Sequence, residues 1–142
     1  YQGHATACAA ALATQRTIRE RDLLANVVRQ GELLADGLRE RFGQHPFVGD
    51  IRGRGLFRGL ELVADRETKD PFDPARKINA KIKKAAFARG LMAYPMGGTI
   101  DGVRGDHVLF APPFIVTGDD VARIVDLFEL AMNDVFTAEG LL

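Results

Sequence analysis

Apolar residues recur at helical spacing in two long stretches and one shorter one, with two clusters of strand spacing set between them. In residues 22–42, Leu23, Val27, Leu34, Leu38 and Phe42 form an i, i+3/i+4 stripe opposite Arg and Glu, which predicts an amphipathic helix with Gly43 as its C-cap. Residues 75–89 place Ile78, Ile82, Ala85 and either Ala86 or Phe87 inward, and Asp73-Pro74 supplies an N-cap followed by proline. The last helix runs to about Phe136. Its stripe is Val121, Ile124, Leu127 or Phe128, Ala131 and Val135, and Thr117 with Asp120 reads as a capping box. Residues 5–19 differ from these. They are alanine-rich and small on nearly every face, which predicts a buried connecting helix with Cys8 as a packing residue, ended by a break over 19–22.

The strand signal is strongest in DIRGRGLFRGLELV, residues 50–63. Strands over 48–52 and 56–63 flank Gly53 and Gly55, which supply positive φ at a tight corner. Leu56, Leu60 and Leu62 share one face, with Phe57 and Glu61 on the other. Gly59 inside the second strand predicts a bulge or a close backbone approach. Short strands follow at 91–93 and 107–110, separated by a glycine-rich loop, MGGTIDGVRG, over 96–105. So short a first corner permits only antiparallel pairing. The expected fold is therefore α+β, a small mostly antiparallel sheet covered by helices, with leading helices over 1–42 and the sandwich over 47–142.

Composition alters this picture little. A chain of 142 residues with 46% hydrophobic and 27% charged residues fits one globular domain. The 19 basic and 19 acidic residues cancel, so net charge makes no case for nucleic acid or an anionic membrane as partner. One cysteine excludes an internal disulfide and a cysteine-rich zinc site, and a cytoplasmic setting is expected. No apolar run is long enough to span a bilayer as a helix. The chain starts at Tyr1 without methionine, and a piece of a longer chain is expected.

Candidate chemistry is sparse. His4, His45 and His107 lack metal-ligand spacing, and no nucleophile elbow, Walker loop or dinucleotide fingerprint is present. Arg52, Arg54 and Arg58 beside glycine amides could hold a phosphate or carboxylate, or could line a solvated edge; the residue pattern leaves both open. The 96–105 loop is the best candidate. Its glycines give it freedom to approach a ligand, and Arg104 is its single basic residue, suited either to a carboxylate or to a pair with Asp101 or Asp106.

YQGHATACAAALA at the start, HPFVGDIRGRGLFRGLELV, the helix ending ARGL, and APPFIVT leading into the last helix keep one order along the whole chain. Together they resemble the C-terminal part of class III (omega-type) aminotransferases, pyridoxal 5'-phosphate enzymes of fold type I. The resemblance implies a parent enzyme, a homodimer, that transfers an amino group from an amine or amino acid to a keto acid. It also implies that the Schiff-base lysine precedes this segment, so the chain alone is expected to be inactive and not to bind the cofactor. The family's phosphate-binding threonine stands just before the tyrosine of this motif, which makes Tyr1 and Gln2 its neighbours at the cofactor. The family's substrate-carboxylate arginine aligns with Gly102, and Arg104 is the nearby arginine assigned to substrate binding. A stand-alone binding or dimerisation module, and the small domain of a related aminomutase, remain the alternatives.

Overall fold

A computed structural model describes residues 2–142. Helix α1 spans Ala5–Glu20 and α2 spans Leu23–Phe42; β1 (Val48–Arg54) and β2 (Phe57–Leu62) follow. After a 3-10 turn at Pro74–Arg76 come α3 (Ile78–Ala88), β3 (Tyr94–Gly97), β4 (Asp106–Phe110) and α4 (Gly118–Ala138). The four strands form one sheet in the order β1-β2-β4-β3, antiparallel throughout. This is the expected α+β class.

Register divides the sheet into two unlike faces. Leu60, opposite Ile51 and Val108, and Leu62, opposite Asp106, turn toward α2, α3 and α4. Leu34, Leu38 and Phe42 of α2 meet this face together with Ile78 and Ile82 of α3 and Phe128, Met132 and Phe136 of α4. Phe128 sits edge-on to Phe42 and Phe110 at ring-centroid distances of 5.3 and 5.0 Å. The other face carries Asp50, Arg52, Phe57, Glu61, Tyr94, Met96, His107 and Leu109.

Several expectations change. Helix α1 buries none of its residues, Leu12 is 67% exposed, and Cys8 is exposed rather than packed. Small side chains allow close approach but do not compel it. The 19–22 break is where Asp22 takes a left-handed φ of 47°. Gly43 ends α2 with a right-handed φ of −60° rather than as a left-handed cap. The bulge lies at Gly49, between Val48 and Asp50, while Gly59 pairs regularly with Arg52 and Leu109. A Cβ on Gly49 would meet Val63 Cγ1 at 2.7 Å, so any larger residue at the kink would have to displace the Val63 side chain.

The helix over 75–89 is two pieces. Asp73 caps Ala75 N–H at 2.9 Å, but Lys77 turns left-handed and α3 restarts at Ile78. Ala86, not Phe87, faces the core, and Val125, Met132 and Phe136 join the α4 stripe. Residues 91–93 are not a strand. Leu91 N–H bonds back to Ala86 across left-handed Gly90 at 2.9 Å, closing α3, and the strand begins at Tyr94. Pro95 is tolerated in β3 because that strand is the sheet edge. The Thr117–Asp120 capping box is present as expected.

Candidate functional site

The glycine-rich stretch is not a free loop. Met96 and Gly97 belong to β3, and residues 98–105 close the β3–β4 connection through their own backbone. Thr99 N–H donates to Gly105 O at 3.2 Å, Ile100 N–H to Arg104 O at 3.0 Å, and Gly102 N–H to Gly98 O at 3.0 Å. Gly98 and Gly105 have φ of 83° and 90°, and a Cβ on Gly105 would meet Ile100 Cγ1 at 2.9 Å. Glycine here permits a compact turn closed by its own backbone hydrogen bonds.

Arg104 stands on that turn, 58% exposed, and donates through Nε to Asp101 Oδ2 at 2.8 Å. Asp101 Oδ1 accepts the backbone N–H groups of Arg104 and Val103 at 2.7 and 3.0 Å. These donors, with the guanidinium, hold the Asp101 carboxyl down to about 2. Of the two pairings the sequence left open for Arg104, Asp101 is the one made. Asp106 instead faces inward at 8% exposure, where burial pushes its carboxyl up against a smaller opposing effect of His107.

The open face of the sheet continues from this turn. Thr99 Oγ1 lies 2.6 Å from His107 Nδ1. His107 is opposite Glu61, whose Oε2 accepts from Arg52 Nη1 at 2.7 Å; the same Nη1 donates to Asp50 Oδ2 at 2.8 Å. Arg52, Glu61, Thr99 and His107 line a cleft of about 230 Å³. At the far end, Phe57, Tyr94, Leu109, Pro112 and Ile124 line a larger apolar cleft of about 500 Å³. The Arg52–Glu61–His107 row did not emerge from the sequence as a set; only register brings it together.

The three hairpin arginines part company. Arg52 joins the open face and Arg54 is exposed at the corner. Arg58 is 5% exposed and turns inward, donating to Gly53 O at 2.8 Å and Gly31 O at 3.0 Å. It is therefore a structural clamp rather than part of a solvated edge or an anion site. Gln2 is exposed in a turn before α1, and Tyr1 lies outside the described residues. Gln2 is not brought to the Arg104 turn by any contact described.

Pyridoxal 5'-phosphate requires a lysine amine in a pocket and a cradle for its phosphate. The lysines here do not meet the first need. Lys69 Nζ donates to Gly49 O at 2.6 Å, Lys81 pairs with Glu139, Lys83 lies over the Tyr94 ring, and Lys77 and Lys84 are exposed. None lines a described cleft. The described residues of this chain do not by themselves fit the cofactor, and no group of His, Cys, Asp and Glu among them could hold a metal ion.

Comparison with known proteins matches residues 1–132 to the class-III aminotransferase family. An uncharacterised aminotransferase of Schizosaccharomyces pombe is 44% identical over 138 residues, covering 97% of this chain and 30% of its own length. Among solved structures, a transaminase from the marine bacterium Virgibacillus superposes with a TM-score of 0.88 at 30% identity, over 97% of this chain and 30% of that one. The omega transaminase of Pseudomonas jessenii, solved in complex with PMP, gives 0.76 at 33% identity, over 89% and 26%. The chain thus spans about 30% of the length of the curated relative it matches.

Proposed function

The chain belongs to the class-III aminotransferases, and from that premise we propose that it is the C-terminal small domain of a longer pyridoxal 5'-phosphate-dependent transaminase. The parent moves an amino group between an amine or amino acid and a keto acid, and acts as a homodimer. When bound, the cofactor supplies the electron sink for that transfer. This chain's share is substrate recognition: Arg104 receives the carboxylate of the keto acid, and the outer sheet face forms one wall beside it. Tyr1 and Gln2 are assigned to the neighbourhood of the cofactor phosphate.

The observation that carries this division of labour is that a family match runs over residues 1–132 while, among the described residues, no lysine lines a described cleft. Arg104 suits its part because only Nε is engaged, which leaves the planar Nη1/Nη2 edge for a bidentate carboxylate. The test is to mix the 142-residue chain with pyridoxal 5'-phosphate, an amine donor and a keto acid. No transamination and no Schiff-base absorbance are expected. Turnover by this chain would overturn the assignment of the chemistry to the rest of the parent.

A further inference from the structure

Two cations are held without a counter-ion at the bulge of β1. Arg66 donates through Nη2 to Gly43 O at 2.6 Å and through Nη1 to His45 O at 3.2 Å, and Lys69 Nζ donates to Gly49 O at 2.6 Å. Carbonyl oxygens fix both heads without neutralising them, and neither joins an ion pair among the described residues. The carboxylates of this neighbourhood are engaged elsewhere. Asp50 accepts from the Ile51 N–H and Arg52, Asp65 from the N–H groups of Glu67 and Thr68, and Asp70 from the Thr68 hydroxyl. Arg66 acts on His45 as an uncompensated charge does, adding to burial in holding that imidazole's pKa down. Lys69 reaches the bulge from a left-handed φ of 64°, which a lysine seldom adopts, in a turn tied by Ala64 N–H to Asp70 O at 2.8 Å. Arg39, Gly43, Gly49, Asp50 and Arg66 are among the residues lining a cavity of about 180 Å³ at this point. At roughly 30 Å³ for one water, it has room for a small anion with water beside it.

From this geometry we propose that the cavity binds a small tetrahedral oxyanion, inorganic phosphate or the head of a phosphate monoester, held by Arg39, Arg66 and Lys69. Arg39 comes from α2, while Arg66 and Lys69 come from the 64–70 turn, so the donors converge from more than one side. That suits a tetrahedral group better than a planar carboxylate. Donors remain to meet it. Arg39 engages only Nη1, with Asp36 at 3.2 Å, and Arg66 Nε makes no hydrogen bond among the described residues. The C-terminal carbonyls of α2 and the Asp50 carboxylate oppose an anion here. Arg66 already covers Gly43 O and Arg52 already pairs Asp50, so three cations outweigh them. β1 is one edge of the sheet and β3 the other, so this site does not depend on the assignment of Arg104 to a carboxylate.

The test titrates inorganic phosphate into the full-length holoenzyme that contains this chain, at constant ionic strength, and follows Tm. A saturable rise is expected, with half its effect at about 1–5 mM, as suits a partly exposed site. Arg39→Gln and Lys69→Gln should each raise that midpoint roughly three- to tenfold, and together remove the rise. Arg66 is left in place because it also ties three backbone carbonyls. Arg104→Ala should keep the rise, and its loss there would put the phosphate at the substrate-carboxylate turn and overturn the proposal. Acetate in place of phosphate should give no saturable rise; an equal one would show a general salt effect and overturn it as well. Glycerol 3-phosphate separates the two sources. A lower midpoint than for phosphate identifies a monoester as the ligand, and a higher one identifies free phosphate. No rise with either, or a rise that the double variant keeps, leaves Arg66 and Lys69 as clamps on the bulge and nothing more.

Discussion

Gly31 in α2 and Gly55 at the hairpin corner approach so closely that a Cβ built on Gly31 would stand 2.5 Å from the Gly55 carbonyl carbon. Helix and sheet meet here backbone to backbone. Glycine within a helix ordinarily costs up to about 1 kcal/mol relative to alanine. At Gly31 the sign should reverse. Gly31→Ala is expected to destabilise by about 1–3 kcal/mol, the usual cost of overpacking, in equilibrium urea denaturation. Gly118→Ala is the control, because its nearest neighbours would lie 3.8 Å away and little change is expected. Equal effects at both positions would show that the close approach is unimportant.

Arg58 ties the same junction from the side, bonding Gly31 O in the helix and Gly53 O in the corner. Arg58→Met fills much of the space but removes the guanidinium bonds to two backbone carbonyls. A loss of about 1.5–3 kcal/mol is expected, the scale of hydrogen bonds to a charged group. The ion pair with Glu32 should matter far less, since that carboxylate is 65% exposed. Glu32→Gln therefore serves as the contrasting variant, with a change of under about 1 kcal/mol.

The hairpin also illustrates how far the sequence could be read. Alternation placed Leu56, Leu60 and Leu62 on one face, and the same alternation puts Arg58 there, between leucines that proved buried. Residue type argued for solvent, yet period 2 argued for the core, and two backbone carbonyls decided the matter. Helices α2, α3 and α4 were legible because each carries a repeating apolar stripe that has only one face to bury. Helix α1 has no such stripe, so its burial could not be read from composition. In the 96–105 stretch glycine content suggested mobility, whereas the left-handed φ values serve a hydrogen-bonded turn. Arg104 was visible as a lone cation, but its fixed partner and the His107–Glu61–Arg52 row depended on register.

His45 should give the protein a stability change in the mildly acidic range. Its ring lies against Phe42, Phe47 and Phe136, and Nδ1 accepts the Phe47 N–H at 3.2 Å. Burial, then the nearby Arg66, holds its pKa below 6.5. The unfolded chain thus takes up this proton more readily than the folded one, so stability is fully present above 6.5 and is lost as pH falls through that value toward the folded pKa. Carboxylates held low, such as Asp65, Asp120 and Glu139, contribute their loss only at more acidic pH. Thermal melts at about pH 7.5 and about pH 5.5 should show a drop in Tm that His45→Gln removes. A drop of the same size in the variant would assign it to another group.

The assignment of substrate recognition to this chain is tested most directly at Arg104 in the full-length enzyme. Arg104→Ala is expected to raise KM for a keto acid by a factor corresponding to about 1.5–3 kcal/mol, the worth of a charge-assisted hydrogen bond. An amine without a carboxylate should be much less affected. Loss toward both substrates alike, or toward neither, would contradict the placing of the carboxylate site on the 98–105 turn.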